Sequence, residues 1–200
     1  MDTFVALYIR ILLSIFFIGF LIKNVITGIW TKQSIRGKSG KVNLVIFNSA
    51  ILGICIFYHS DYFFWIKALD FSAIKITGLV IMTLACILGI STLITMKDSW
   101  RVGIRPEQKT NLIINGVFKF SRNPFYLSFD LMFFGIFLEF PSLVYLIFYL
   151  MFILILHSII LDEEKHLIVQ HGDSYKNYKD SVSRYFSLRS GNKKLLTLDK

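Results

Sequence analysis

The chain has 200 residues, of which 54% are apolar and only 18% are charged, with a formal net charge of +9. Soluble proteins average roughly 45–50% apolar and about 25% charged residues, so this chain carries more apolar surface than a soluble core of its size would hide. The composition excludes a disordered chain, a collagen-like chain and an ordinary cytosolic globule, and it favours a protein whose solvent is lipid.

Long apolar stretches predict the membrane spans. A helix needs about 20 mostly apolar residues to cross a bilayer. Five stretches approach or meet this length, in chain order: residues 3–22, 42–59, 76–96, 125–140 and 142–161. The fourth is the shortest, and Pro141 separates it from the fifth, because proline does not continue a helix interior. The sequence therefore predicts an all-α bundle of about five transmembrane helices, with a hairpin within residues 124–161 and a helical C-terminal tail.

Basic residues predict the orientation of this bundle. Of the 22 Lys and Arg residues, 19 lie in residues 23–41, 97–123 and 162–200, which flank the predicted spans on one side. Loops on the cytoplasmic side are enriched in Lys and Arg. We expect an integral protein of a bacterial plasma membrane, with the N-terminus outside and the C-terminus in the cytoplasm. Topology and anionic membrane lipid explain the positive charge, so no nucleic acid is expected as a partner.

Unusual polar residues are concentrated in the second half of the chain. Residues 1–96 are predicted to be a membrane anchor of three transmembrane helices. Residues 97–200, with a cytoplasmic loop, the hairpin and the tail, are predicted to be the functional region. Cys55 and Cys86 lie in apolar runs, which argues against a disulfide scaffold. The two histidines of the tail lack the spacing of a metal-binding pair, and no metal is expected.

The segment Ser121–Tyr126 has the pattern of a helix start. Asn123 is a favourable N-cap residue, and Pro124 suits the first helical position. With Arg122 beside this helix N-terminus, the segment predicts an anion site, because free N–H groups and a guanidinium both attract negative charge. The alternative is a capped helix whose arginine extends to the membrane surface.

Three acidic residues, 162–164, follow the last predicted span. Either they form a solvated cluster at the end of the bilayer, or the helix continues and places them near the predicted anion site. Gly172 predicts a helix end, and Asp173 with Ser174 would cap a further short helix that bears Tyr175 and Tyr178. Two other ionisable residues, Asp130 and His157, are predicted at similar depth on neighbouring spans, where a hydrogen bond or a function is expected.

The order of these residues is similar to that of a known family. The pattern is Trp100-Arg101, then Leu112-Ile113-x-x-Gly116-x-Phe118-x-x-x-Arg122-Asn123-Pro124-x-Tyr126, then Glu163-Glu164-x-x-Leu167-x-x-x-x-Gly172-x-x-Tyr175-x-x-Tyr178. Over residues 97–186 it resembles the isoprenylcysteine carboxyl methyltransferase / phospholipid methyltransferase family of integral-membrane enzymes. The resemblance implies that residues 97–200 are a catalytic region that takes S-adenosylmethionine as methyl donor at the cytoplasmic face.

The resemblance also implies roles for individual residues. Contacts to the cofactor would come from Leu112, Ile113, Gly116, Phe118, Asn123, Pro124, Tyr126 and Glu163. Within that set, the two aliphatic residues would line the adenosine, and the glutamate would contact the amino or ribose groups. Besides these implied roles, Arg122 from the predicted anion site and Glu164 as a candidate base are expected to be catalytic, and Arg101 and the position of Ile159 are expected to contact the acceptor.

Three positions depart from the family pattern. Asn123 stands where the family usually has His, and Phe118 where it commonly has Tyr. Ile159 stands where the isoprenylcysteine enzymes place an Arg for the substrate carboxylate, and an apolar side chain cannot pair with a carboxylate. We therefore expect a different lipophilic or amphiphilic acceptor, with a carboxyl, hydroxyl or amine group, unless Arg101 or Arg122 takes over that role.

An acceptor with a hydroxyl or amine would need a base, for which Glu164, His157 and Asp130 are the candidates. Two other functions remain open from the sequence: a nicotinamide-dependent reductase of the sterol-reductase type, and a non-catalytic scaffold or transport subunit. Binding of S-adenosylmethionine separates the first of these from a methyltransferase. Broken helices or polar residues in several spans would indicate transport, and the second and third predicted spans show neither.

Overall fold

The computed structural model describes residues 3–31, 71–100 and 111–186. Within these ranges the regular elements are all helical, which confirms the predicted all-α fold. The α-helices are α1 (Thr3–Thr31), α2 (Ser72–Met96), α3 (Pro124–Glu139), α4 (Leu143–His171) and α5 (Asp173–Ser181). Two short 3₁₀ helices, Lys97–Ser99 and Gly116–Lys119, lie between α2 and α3.

Three of the described helices are long and apolar enough to cross a membrane, namely Leu7–Trp30, Ser72–Ser99 and Leu143–His171. They correspond to the first, third and fifth predicted spans. The second predicted span, residues 42–59, lies outside the described residues. The fourth is α3, whose 16 residues extend about 24 Å at 1.5 Å per residue, short of a hydrocarbon core of about 30 Å.

Helices α1 and α2 lie side by side and run parallel. The hydroxyl of Tyr8, in the second turn of α1, is 2.6 Å from that of Thr83 in the middle of α2. At the other end, Trp100 Nε1 donates to Asn24 Oδ1 at 2.8 Å. A parallel pair is the arrangement expected if one further span separates the two helices along the chain.

Glycines bring α2 and α3 into close antiparallel contact. A Cβ atom added to Gly78 of α2 would lie 2.8 Å from the carbonyl oxygen of Gly135 of α3, and the reverse distance is the same. No real side chain tolerates that approach to a backbone oxygen. Small residues at such a crossing allow two transmembrane helices to pack backbone against backbone, and this contact holds α3 in the bundle despite its short length.

Helices α3 and α4 form the predicted hairpin. Phe133 and Phe152 pack with ring centroids 4.6 Å apart. Tyr145 and Tyr149 of α4 donate hydrogen bonds to the backbone carbonyls of Phe133 and Asp130 of α3, at 3.0 and 3.1 Å. Each tyrosine therefore satisfies its own hydroxyl inside an apolar interface, as a buried phenol requires.

One end of the bundle, which we call the polar end, contains Asn24, Trp100, Arg122 and Glu164. Described parts of all three stretches predicted to be cytoplasmic meet there. Helix α4 continues without a break to His171, so the acids 162–164 lie mid-helix, as the second of the two sequence-based alternatives proposed.

The stop predicted after α4 is also confirmed. Gly172 has φ of +56°, and α4 ends before it. Helix α5 then begins, but Gly172 occupies its N-cap position and neither Asp173 nor Ser174 caps it. The Asp173 carboxylate instead accepts a hydrogen bond from Lys176 at 2.9 Å, so the predicted cap is wrong in detail. The helix itself and its tyrosines lie where they were predicted.

Candidate active site

A buried ion cluster lies at the centre of the polar end. Glu164 Oε1 accepts hydrogen bonds from Arg122 at 2.8 Å and from Arg184 Nε at 2.9 Å, and its Oε2 accepts from Arg184 at 2.8 Å. The side chains of Arg122 and Glu164 are 6% and 4% exposed. Both oxygens of the carboxylate are therefore bound by guanidinium groups from two distant parts of the chain.

Arg122 also fixes the segment that follows α5. Its guanidinium donates to the backbone carbonyls of Lys179, at 2.9 Å, and Val182. Its backbone N–H donates to the carbonyl of Ser183 at 3.0 Å. The sequence predicted that Arg122 would help to form an anion site, and the anion that it contacts in the structure is the carboxylate of Glu164. This arrangement ties the tail to the start of α3.

The start of α3 has the predicted geometry but a different use of Asn123. Asn123 is at the N-cap position and Pro124 at the first helical position, yet the asparagine side chain does not cap the helix. Its amide donates to the Arg184 carbonyl at 3.3 Å and lies 3.5 Å from Glu164 Oε1. The Asn123 side chain thus contacts the Glu164 carboxylate and the Arg184 carbonyl, and it does not accept a hydrogen bond from the first N–H groups of α3.

Glu163 and Tyr126 form a second, separate pair. The Tyr126 hydroxyl donates to Glu163 Oε1 at 2.7 Å. Within the part of the chain that the structure describes, Glu163 has no ion pair with any arginine, lysine or histidine. Its side chain is partly buried, and the Tyr126 hydroxyl is the one polar group among the described residues that bonds to this carboxyl group.

An aromatic cluster packs beside these polar pairs. It consists of Phe118, Tyr175, Tyr178 and Val182, with Leu112 and Ile113 packed against it. The Tyr178 hydroxyl donates to the Phe118 carbonyl at 2.6 Å. Burial raises the pKa of Tyr175 to about 12 and also raises the pKa of Tyr178. Both phenols are therefore neutral at physiological pH, and they hold α5 against the segment before α3.

Gly116 begins the 3₁₀ turn in that segment. Its φ is +60°, a conformation that favours glycine, and an added Cβ would lie 3.2 Å from the side chain of Thr95 on α2. The glycine thus allows the segment to lie close against the end of α2.

A comparison with protein families agrees with the arrangement. A family model described as phospholipid methyltransferase matches residues 73–174. The chain belongs to this family. The match spans α2 to the start of α5, about half of the chain, and it confirms the resemblance found in the sequence. No curated protein sequence matches the chain.

The structure of this phospholipid methyltransferase family member brings most of the predicted site residues together at the polar end. These are Leu112, Ile113, Gly116, Phe118, Arg122, Asn123, Pro124, Tyr126, Glu163 and Glu164. Ile159 is buried, one helical turn before Glu163 in α4. Arg101 lies outside the described residues.

The side chains of Asp130 and His157, which were predicted at similar depth on neighbouring spans, differ in their hydrogen bonding. His157 Nδ1 lies 2.6 Å from the hydroxyl of Tyr185. Asp130 Oδ1 is buried and has no hydrogen-bond partner among the described residues. No direct bond between the two predicted residues is formed.

Sequence reasoning missed Arg184 and Tyr185 as parts of the site. Arg184 was counted only as one of the basic residues that set the membrane orientation. The available signal was charge balance, because three consecutive acids predicted to lie near a single arginine call for a further cation. No comparable signal pointed to Tyr185.

Proposed function

We propose that this chain is an integral-membrane methyltransferase that uses S-adenosylmethionine and methylates a lipophilic or amphiphilic acceptor. The cofactor would bind at the polar end, on the cytoplasmic side of the membrane. The observation that carries the proposal is the family match over residues 73–174, because it includes Gly116, Arg122, Tyr126 and Glu163. When bound, S-adenosylmethionine supplies a methyl group on a positively charged sulfur.

The carboxylate of Glu163 fits a cationic ligand. Its only hydrogen bond among the described residues comes from the Tyr126 hydroxyl, and burial without a neighbouring cation disfavours the ionised form of a carboxyl group. A sulfonium or amino group would supply the missing positive charge. Tyr126 fixes the orientation of the carboxylate, so the pair is arranged for the ligand before it binds.

The aromatic cluster fits an adenosine group. Leu112 and Ile113 lie at its edge and are partly buried, and Phe118 is within it. Because the Phe118 ring has no hydroxyl, contact with a purine here would rest on packing alone. Gly116 keeps the backbone of the same segment free of a side chain at its turn.

Arg122 and Glu164 have a positioning role in this proposal. Both oxygens of Glu164 already accept hydrogen bonds from arginines, which leaves little capacity for a base. The ion cluster instead holds α4, the start of α3 and the tail in one arrangement. Those three segments carry Glu163, Tyr126 and the residues that follow α5.

Binding measurements on the purified protein in detergent test this function. We expect saturable binding of S-adenosylmethionine, with competition by S-adenosylhomocysteine and none by NADPH. Binding of NADPH without binding of S-adenosylmethionine would replace the methyltransferase by a reductase. If the protein binds neither S-adenosylmethionine nor NADPH, the proposal is contradicted.

A further inference from the structure

The segment after α5 returns to the level of the membrane. The hydroxyl of Tyr185 lies 2.6 Å from Nδ1 of His157, and His157 precedes Leu161, where the apolar run of α4 ends, by about one helical turn. Glu164 of the ion cluster is seven residues beyond His157, which corresponds to about 10 Å along the helix axis. Residue 185 is therefore held beside the last apolar turns of α4, where hydrocarbon gives way to lipid head groups.

The segment before α3 lies against this part of the tail. The N–H of Arg122 donates to the carbonyl of Ser183 at 3.0 Å, and the hydroxyl of Ser121 donates to the carbonyl of Arg184 at 3.2 Å. The two contacts advance in opposite directions along the chain, so the two segments run antiparallel. The segment before α3 is thus held close to the same depth as the tail.

Each of the two segments carries a phenylalanine that the bundle leaves uncovered. One further step in the antiparallel register brings Phe120 beside Tyr185, and Phe186 is the next residue of the tail. The side chains of Phe120 and Phe186 are 46% and 60% exposed, whereas that of Phe118 is only 7% exposed. Lys119 is also exposed and adds a positive charge. We call Lys119, Phe120 and Phe186 the phenylalanine patch.

The chemistry of the phenylalanine patch fits a lipid surface. Exposed rings at this depth remove apolar surface from water when they enter the boundary between head groups and acyl chains. The long side chain of Lys119 allows its ammonium group to reach a lipid phosphate while its methylene groups stay at the boundary. An apolar protein partner would leave that ammonium group without an anion.

We propose that the phenylalanine patch inserts into the head-group layer of the membrane that the bundle spans, in the leaflet next to the polar end. The rings of Phe120 and Phe186 point towards the acyl chains, and Lys119 lies at the phosphates. The bilayer then helps the ion cluster to hold the segment that carries Arg184. The inference goes beyond the proposed function and does not depend on it, because it uses only depth, exposure and charge.

Fluorescent labels at single cysteines test the contact with lipid. The two native cysteines are replaced by serine, and Phe120→Cys, Phe186→Cys and Val169→Cys are each labelled with nitrobenzoxadiazole and reconstituted into vesicles of phosphatidylcholine and phosphatidylglycerol. Val169 is the matched control, because its apolar side chain is 84% exposed but lies twelve residues beyond His157 in α4, or about 18 Å further along the axis. Emission spectra are recorded with iodide in the water or with doxyl groups on the lipid chains.

We expect the labels at positions 120 and 186 to emit at shorter wavelength than the label at 169. Doxyl lipid should quench them more strongly than iodide does, and the label at 169 should show the reverse order. Iodide quenching at either patch position as strong as at 169 would overturn the proposal. Protection of either position from both quenchers would also overturn it, because a second copy or another part of the chain would then cover the patch.

Photolabelling of the unsubstituted parent tests the same contact without a change in sequence. The parent is irradiated in vesicles that contain a phosphatidylcholine with a diazirine near the head-group end of one acyl chain, and the adducts are mapped by mass spectrometry. We expect more adducts on the tryptic peptide 185–189, which contains Phe186, than on the peptide 166–176, which contains Val169. Labelling of residues 185–189 that is no greater than that of residues 166–176 contradicts insertion of the patch.

Discussion

Glu163 and Glu164 are adjacent in α4, but the carboxyl group of one is bound by a neutral donor and that of the other by two cations. Glu164 lies between two guanidinium groups, whereas Glu163 accepts a hydrogen bond from the neutral phenol of Tyr126. Consecutive side chains of an α-helix point about 100° apart, so the two acids face different neighbours. Glu164 holds the tail in place, whereas Glu163 lacks a described cation and is proposed to contact the cofactor.

Replacement of Glu164 by Gln is expected to destabilise the protein. It leaves Arg122 and Arg184 facing each other without the carboxylate, and breaking a buried ion pair costs about 3–5 kcal/mol. Denaturant unfolding in detergent measures the loss. Lys165→Gln is the matched control, because its ion pair with Asp162 is largely exposed and should contribute less than about 1 kcal/mol. Similar free energies of unfolding for the two variants would show that the buried ion cluster does not stabilise the protein.

Replacement of Glu163 by Gln is expected to weaken binding of S-adenosylmethionine without lowering stability. A charge-assisted contact contributes about 1.5–3 kcal/mol, which corresponds to roughly a tenfold to hundredfold increase in Kd. Isothermal titration against the parent measures the change. Asp162→Asn removes the preceding acid and should bind the cofactor like the parent. If Glu163→Gln also binds with the parent's affinity, Glu163 does not contact the cofactor.

Hydropathy predicted the helices well, but their lengths depended on residues outside the apolar runs. The last predicted span covered residues 142–161, whereas α4 runs from Leu143 to His171. Its final turns are polar, and they remain helical because Glu164 is bonded to Arg122 and Arg184 and because no glycine occurs before Gly172. A hydropathy pattern measures affinity for lipid and does not include such contacts between distant segments.

In the site, too, features set by neighbouring residues were predictable, whereas contacts with distant segments were not. The positions of Asn123 and Pro124 at the helix start were predictable, because both preferences act within one turn. The bonds of Asn123 were not, since they depend on Arg184, 61 residues further along the chain. The Asn123 amide donates to buried acceptors of α4 and the tail, and its side chain therefore does not cap its own helix.

Replacement of Gly172 by Ala is expected to destabilise the turn between α4 and α5. The residue has φ of +56° and ψ of −128°, and an L-residue in such a conformation costs roughly 1–3 kcal/mol. No atom lies within 4 Å of the added Cβ, so the loss in melting temperature reports backbone strain. Gly28→Ala in α1 also meets no neighbouring atom, but it should stabilise its helix by roughly 0.5–1 kcal/mol. Equal effects of the two substitutions would contradict this explanation.

The orientation in the membrane is tested by cysteine labelling, with the two native cysteines replaced by serine. Ser72 is exposed at the start of α2, and Lys119 is exposed at the polar end. A membrane-impermeant maleimide should label Ser72→Cys in intact cells, and it should label Lys119→Cys only after the cells are opened. Positions 36 and 109, outside the described residues, should behave like position 119. Labelling of Lys119→Cys from outside would reverse the predicted orientation.

The parent protein is expected not to methylate the carboxylate of a farnesyl-cysteine analogue efficiently. Ile159 is buried and offers no hydrogen bond, so the carboxylate would lack the arginine that the isoprenylcysteine enzymes place at this position. An unpaired carboxylate in a desolvated site costs several kcal/mol unless it takes up a proton, and a protonated acid is a poor nucleophile for a sulfonium methyl group. Transfer of labelled methyl groups is measured with protein that binds S-adenosylmethionine, so that a negative result reports on the acceptor. Robust turnover by the parent refutes the prediction, whereas turnover only in Ile159→Arg supports it and places Ile159 at the acceptor.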